Sequence, residues 1–116
     1  MNIQCTQRDD VTIVAVEGVL DVATAPILQK GVKELVAGNQ TRLIFDFSDL
    51  DHITSSGLAV LVMSLQLLKP KNGLVAVAGA DGLTKEVIGV WAGKTHPFIP
   101  SFATVEQAMQ YFAGKS

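Results

Sequence analysis

The chain has 116 residues, 48% hydrophobic and 17% charged, which is enough to fill one core and excludes a disordered polymer. Its formal charge is −2 with acidic and basic residues scattered, so the clustered Lys and Arg that nucleic acid demands are missing. The single cysteine, Cys5, excludes an intramolecular disulfide and a zinc site built mainly from thiolates, and it suits a reducing cytoplasmic setting.

Residues 2–7 alternate, with Ile3 and Cys5 on one side and Gln4 and Thr6 on the other, which predicts a half-buried strand. The start, Met1-Asn2-Ile3-Gln4, has neither the basic nor the apolar stretch of a secretory leader. Arg8-Asp9-Asp10 supplies a turn, and the β-branched run Val11–Glu17 predicts a second strand, the two forming a hairpin. Gly18-Val19-Leu20-Asp21 ends that strand. Thr24 is placed to cap a helix whose first turn tolerates Pro26. Leu28, Val32, Leu35 and Val36 share one face of this helix, and Gly38-Asn39 stops it. Leu43-Ile44-Phe45 is apolar on both faces, as a central parallel strand should be.

A polar loop, Asp46–Ile53, then leads into Thr54-Ser55-Ser56-Gly57 at the mouth of a helix running to about Lys69. Leu58, Leu61, Val62, Leu65 and Leu68 form its stripe, and Ala59, Val60, Met63 and Leu67 widen it, so this helix should be buried on most sides. The run Leu58–Leu68 is shorter than the roughly 20 apolar residues that span a bilayer, so no membrane insertion is expected. Pro70-Lys71-Asn72-Gly73 terminates the helix, and Leu74–Ala78 predicts another strand. Asp81 is placed to cap a short helix carrying Leu83, Val87, Val90 and Trp91 and closed by Gly93. Phe98-Ile99-Pro100 suits a brief edge strand. Thr104-Val105-Glu106-Gln107 reads as a capping box, and Val105, Ala108, Met109 and Phe112 form the face of a last helix ended by Gly114.

This alternation predicts one α/β domain over residues 1–116, a mixed, mainly parallel sheet of about five strands covered by about four helices. The loops Gly18–Thr24 and Asp46–Ser56 should share the end of the sheet where sites of such folds gather.

Ser55 sits at a strand-to-helix turn, but no glycine stands two places before it, so the nucleophile-elbow pattern of hydrolases is absent. His52 is only three residues away, and His96 has no evident role as a base. Asp46, Asp49 and Asp51 lack the spacing, glycine and terminal glutamate of a calcium loop and read as a solvated acidic segment. No phosphate-binding glycine pattern is present. Trp91 and the methionines read as core or rim, and Cys5 as a small apolar strand residue. A serine at a helix start caps it for about 1 kcal/mol, or accepts a phosphate that the unpaired N–H groups and the macrodipole favour. On the residues alone the cap is the preferred reading, with the phosphate site as the alternative.

Three pieces of sequence carry a resemblance. They are Gly18-Val19-Leu20-Asp21 with Thr24-Ala25, the stretch Ile44–Leu58 containing Thr54-Ser55-Ser56-Gly57-Leu58, and Val105-Glu106-Gln107-Ala108. With them the chain resembles, over essentially its whole length, the STAS family of anti-sigma factor antagonists. The first piece is similar to that family's G-x-L-D and the second to its strand followed by D-S-S-G-L. The resemblance implies a non-enzymatic, cytoplasmic protein without cofactor or metal. It implies binding to an anti-sigma factor that is also a serine kinase, release on phosphorylation, and a phosphatase as a further partner. By the same resemblance Ser55 is the phospho-acceptor, with Thr54 and Ser56 as further candidates. Asp21, Val22 and Thr24 would form one side of the contact, and Thr54, Ser56, Gly57 and Leu58 the other. Thr54 departs from the family's usual aspartate. This favours an alternative, a non-switching adaptor subunit of a transporter or signalling complex, of the kind associated with lipid or anion transport.

Overall fold

A computed structural model describes residues 2–80 and 99–114. Strands β1 (Asn2–Arg8) and β2 (Val11–Leu20) form the expected antiparallel hairpin, in register from Asn2↔Glu17 to Arg8↔Val11. Asp9 turns the corner at φ 56°, a left-handed conformation that a short polar side chain tolerates. β3 (Arg42–Asp46) lies parallel to β2, β5 (Leu74–Ala78) parallel to β3, and β6 (Ser101–Phe102) parallel to β5. The sheet order is β1-β2-β3-β5-β6.

Parallel neighbours need crossovers, and helices supply them. Helix α1 (Ala25–Ala37) connects β2 to β3, burying Ala25, Leu28, Val32 and Val36 as the periodicity predicts. The left-handed residue after it is Asn39, at φ 67°, and Gln40 N–H bonds the Leu35 carbonyl at 3.0 Å. Helix α2 (Ser55–Leu68) precedes β5 and passes into a 3-10 turn, Lys69–Lys71, before Asn72 reverses the chain at φ 56°. Lys71 Nζ then donates to the Val36 carbonyl at 3.0 Å, joining the ends of α1 and α2.

The two faces of the sheet hold separate cores. One packs Val14, Val16, Leu20, Leu43, Phe45 and Val75 against α1 and α2. Phe45 and Phe47, both fully buried there, lie 6.0 Å apart at 37°. The other core packs Val11, Ile13, Ile44, Ala76 and Ala78 under α3 (Val105–Ala113) through Ala108 and Phe112. Arg42 joins this face to the hairpin turn, donating to the Phe112 carbonyl at 3.0 Å and lying 3.6 Å from the Asp10 carboxylate.

Thr104 caps α3, accepting from Gln107 N–H at 3.2 Å, while the Gln107 side chain accepts from Ala103 N–H at 3.1 Å. The reciprocal bond therefore falls one residue earlier than in the ideal box. Thr104→Ala should lower stability by about 1 kcal/mol, read as a lower denaturation midpoint with unchanged slope.

Three expectations are corrected. Part of the polar loop forms a strand, β4 (Leu50–Ile53), parallel to the far end of β2 from Gly18↔Leu50 to Leu20↔Ile53. Leu50 and Ile53 are buried there, and the exposed Asp51 and His52 between them hid the strand in the sequence. With β4 the described residues contain six strands, one more than the roughly five expected, and three of the roughly four expected helices. The brief edge strand is Ser101–Phe102, just after Pro100. Pro100 contributes only its carbonyl, which accepts from Val77 N–H at 2.9 Å. Cys5 is exposed because β1 is an edge on which Ile3 alone is partly covered. The helix expected after Asp81, with Trp91 and His96, lies outside the described residues, as does Phe98.

Candidate functional site

The site is assembled where β2 and β4 end. A bulge lies between Gly18 and Val19, and Gly18 has φ 97°, a backbone that side chains rarely allow. Its N–H reaches the Asp49 carbonyl at 3.1 Å. Beyond the bulge Leu20 is fully buried and the chain turns outward at Asp21.

That turn is held by its own side chains. Asp21 Oδ1 accepts from Ala23 N–H at 3.0 Å and Thr24 N–H at 3.1 Å. Thr24 Oγ1 accepts from Asp21 N–H at 2.9 Å and donates to the Val19 carbonyl at 2.8 Å. Thr24 occupies the N-cap position of α1 as expected, yet its hydroxyl faces back into the loop. The Asp21 carbonyl takes the Ala25 N–H at 2.7 Å instead. These bonds, led by the one from Thr24 N–H, hold the Asp21 carboxyl below its ordinary value.

A depressed folded value gives stability that is present above the unfolded pKa, about 4, and is lost as pH falls through the folded one. The melting temperatures of wild type and Asp21→Ala should therefore differ at neutral pH and converge in acid below that range.

The second loop docks on the first. Thr54 N–H donates to the Leu20 carbonyl at 3.0 Å, and Thr54 Oγ1 lies 3.4 Å from the same oxygen. A Cβ on Gly57 would lie 2.7 Å from Ile53 Cγ1 and 2.8 Å from Leu20 Cγ, so only glycine lets the first turn of α2 sit this close. The two loops thus share one end of the sheet, as their sequence positions implied.

Ser55 is the first residue of α2 and is exposed, while Thr54 and Ser56 are half-exposed. Thr54 is the N-cap residue but makes no side-chain cap, and no acidic residue stands in the first turn. The helical ladder starts with Leu58 N–H to the Thr54 carbonyl at 3.0 Å. The amides of residues 55–57 therefore precede the first i→i−4 bond, where anions are favoured. Gly57 and Leu58 are buried, Leu58 at 3% exposure, so of the expected contact residues these two face the core.

Exposure joins the expected contact residue Val22 to two residues the sequence reading did not place in the contact, Val19 and Ile27. Val22 is 76% exposed and Ile27 59%, with Val19 at 38%. They form the large apolar exposed residues of the described chain, all within the end of β2, its loop and the first turn of α1. Ile27 lies off the Leu28-Val32-Val36 stripe, the one sequence sign that its side chain faces outward. Nearby acidic groups form no metal site: Asp46 Oδ1 is used by Ser48 N–H at 3.1 Å, and the described residues contain no group of three candidate ligands.

The STAS domain profile matches residues 2–108. The chain belongs to the STAS domain family. Within the family it is 28% identical over 78 residues to the anti-sigma-F factor antagonist RsfB of Mycobacterium tuberculosis. That match spans 66% of this chain and 64% of the relative, just under two thirds of its length. Among solved structures, an anti-sigma factor antagonist from Mycobacterium paratuberculosis superposes with a TM-score of 0.82. It has 26% identity, with 95% of this chain and 92% of that one covered. SpoIIAA of Bacillus, 17% identical, shares the fold in both its unphosphorylated form (TM-score 0.74, 97% and 99% covered) and its phosphorylated form (TM-score 0.73, 96% and 99% covered). No helix among the described residues is long and apolar enough to cross a membrane.

Proposed function

We propose that this chain, as one STAS unit over residues 1–116, is a cytoplasmic anti-sigma factor antagonist that acts by binding and performs no catalysis. Its partner is an anti-sigma factor that is also a serine kinase. Phosphorylation of Ser55 ends the complex, and a phosphatase restores it. The observation that carries this reading is the exposed Ser55 hydroxyl on the first residue of an α2 that no side chain caps. Kinship with the antagonist RsfB supports it.

The contact is the loop end built from Asp21, Val22 and Thr24 beside Thr54, Ser55 and Ser56, with Ile27 extending its apolar part. Gly57 and Leu58 shape it from beneath. A phosphate adds about −1.5 to −2 charges in the middle of this surface. The helix amides and dipole accept that charge within the domain, but a partner that must desolvate it does not.

Thr54 supports a second reading, a constitutively bound adaptor of a lipid- or anion-transport complex, because its hydroxyl leaves no carboxylate beside Ser55. Mass spectrometry after incubation with the cognate kinase and ATP separates the two. One added phosphate in wild type, absent in Ser55→Ala, is the expected result. An unchanged wild-type mass removes the switch and leaves the adaptor.

A further inference from the structure

We propose that the outer edge of β1 is a self-association site, where a second copy of this chain adds an antiparallel strand about a two-fold axis through Cys5. β1 runs seven residues in unbroken register with β2, and among the described residues no strand lies on its other side. The backbone groups of an edge strand that point away from its neighbour are a template for another strand. Proteins guard such edges with charge, proline, bulges or shortness.

Among the described residues the opposite edge of this sheet is β6, and it is guarded in that way: it has two residues and follows Pro100 directly. β1 is not. Asn2-Ile3-Gln4-Cys5-Thr6-Gln7 contains no charged residue and no proline, and its register has no bulge.

The strand also suits itself as a partner. Cys5 is the middle residue of Asn2–Arg8. Full antiparallel overlap of two copies therefore sets Cys5 opposite Cys5, Gln4 opposite Thr6, Ile3 opposite Gln7 and Asn2 opposite Arg8. The one charged side chain of β1, Arg8, then faces a neutral amide, so no like charges meet. Such a two-fold contact uses the same surface on both copies and closes on itself. A strand edge is small beside a standard interface of about 1,600 Å², so the dimer is expected to depend on concentration.

The exposed thiol at the axis reports this register. Directly opposed residues of an antiparallel pair have Cα atoms about 4.5 or 5.5 Å apart, both within the span of a disulfide. Sedimentation equilibrium of the reduced full chain should show a monomer–dimer equilibrium that Cys5→Ser retains. Cys5→Lys sets two ammonium groups face to face and should weaken the dimer by up to about fivefold. Because Cys5 is exposed, its circular dichroism, and its melting at concentrations where both proteins are monomeric, should stay those of wild type. Diamide, a two-electron oxidant that takes up both thiol hydrogens as the S–S bond forms, should cross-link wild type wherever the dimer is populated, and never Cys5→Ser. A chain that stays monomeric at every concentration, or a dimer indifferent to Cys5→Lys, overturns the proposal. Neither result bears on Ser55, which lies at the mouth of α2.

Discussion

Ser55→Asp is expected to weaken binding of the anti-sigma factor by about tenfold or more, a loss of at least about 1.4 kcal/mol, while the domain melts no lower than wild type. The two effects have opposite signs for one physical reason. A carboxylate on the first residue of a helix meets unpaired amides and the positive end of the dipole, worth about 0.3–1 kcal/mol of stability. The same carboxylate at the centre of a contact must shed its water against a surface that offers it nothing comparable. Ser55 is exposed and α2 has no side-chain cap to displace, so the substitution breaks no existing bond. Ser55→Ala should bind as wild type does and become insensitive to kinase and ATP. Calorimetric titration against the anti-sigma factor, with thermal melts of all three proteins, makes the comparison. Equal affinity of Ser55→Asp and wild type would refute the switch, and a lowered melting temperature would mean that the helix mouth is not the anion-tolerant site described above.

The large periodic elements were legible in the sequence because burial dictates their pattern. The Leu28-Val32-Val36 stripe, the doubly covered Leu43-Ile44-Phe45 strand and the Thr104 cap all stand where residue spacing put them. β4 was not legible, because Leu50-Asp51-His52-Ile53 exposes two polar residues in four and is ordered by partners far back in the chain, Gly18–Leu20 at the bulged end of β2. The exposure of Cys5 was hidden for a related reason: alternation shows which residues share a face, but not whether any helix covers that face. At the site, the hydroxyl cluster and its place at a helix start were readable, and so was the shared end of the two loops. Two things needed the coordinates. The Thr24 hydroxyl turns back to Val19 rather than into its helix, and Leu58, apolar and next to the serines, faces the core. A one-dimensional motif sets Gly57 and Leu58 beside the serines without showing that both are buried beneath them.

Gly57 makes that support measurable, because its cost can be compared with an identical change elsewhere. Gly31, midway along α1, has no atom within 4 Å of where a Cβ would stand. Gly31→Ala should therefore raise stability by about 0.5–1 kcal/mol, the ordinary gain for removing glycine from a helix interior. Gly57→Ala receives at most the same gain, and at the first turn less of it. Against that, its methyl would stand at 2.7 Å from Ile53 and 2.8 Å from Leu20, two fully packed side chains at the ends of β4 and β2. Overpacking of this kind costs about 1–3 kcal/mol, so the penalty wins and the sign reverses. Gly57→Val, with two further methyls, should lie at or beyond the upper end of that range. Denaturant midpoints of the three variants decide the matter. The same clash pushes α2 away from Leu20, whose carbonyl holds Thr54, so any Gly57 variant that still folds should bind the anti-sigma factor more weakly than its stability loss alone explains. A Gly57→Ala protein as stable as Gly31→Ala would show that the two loops are not locked together at this point, and that Ser55 is not held where its added charge would meet the partner.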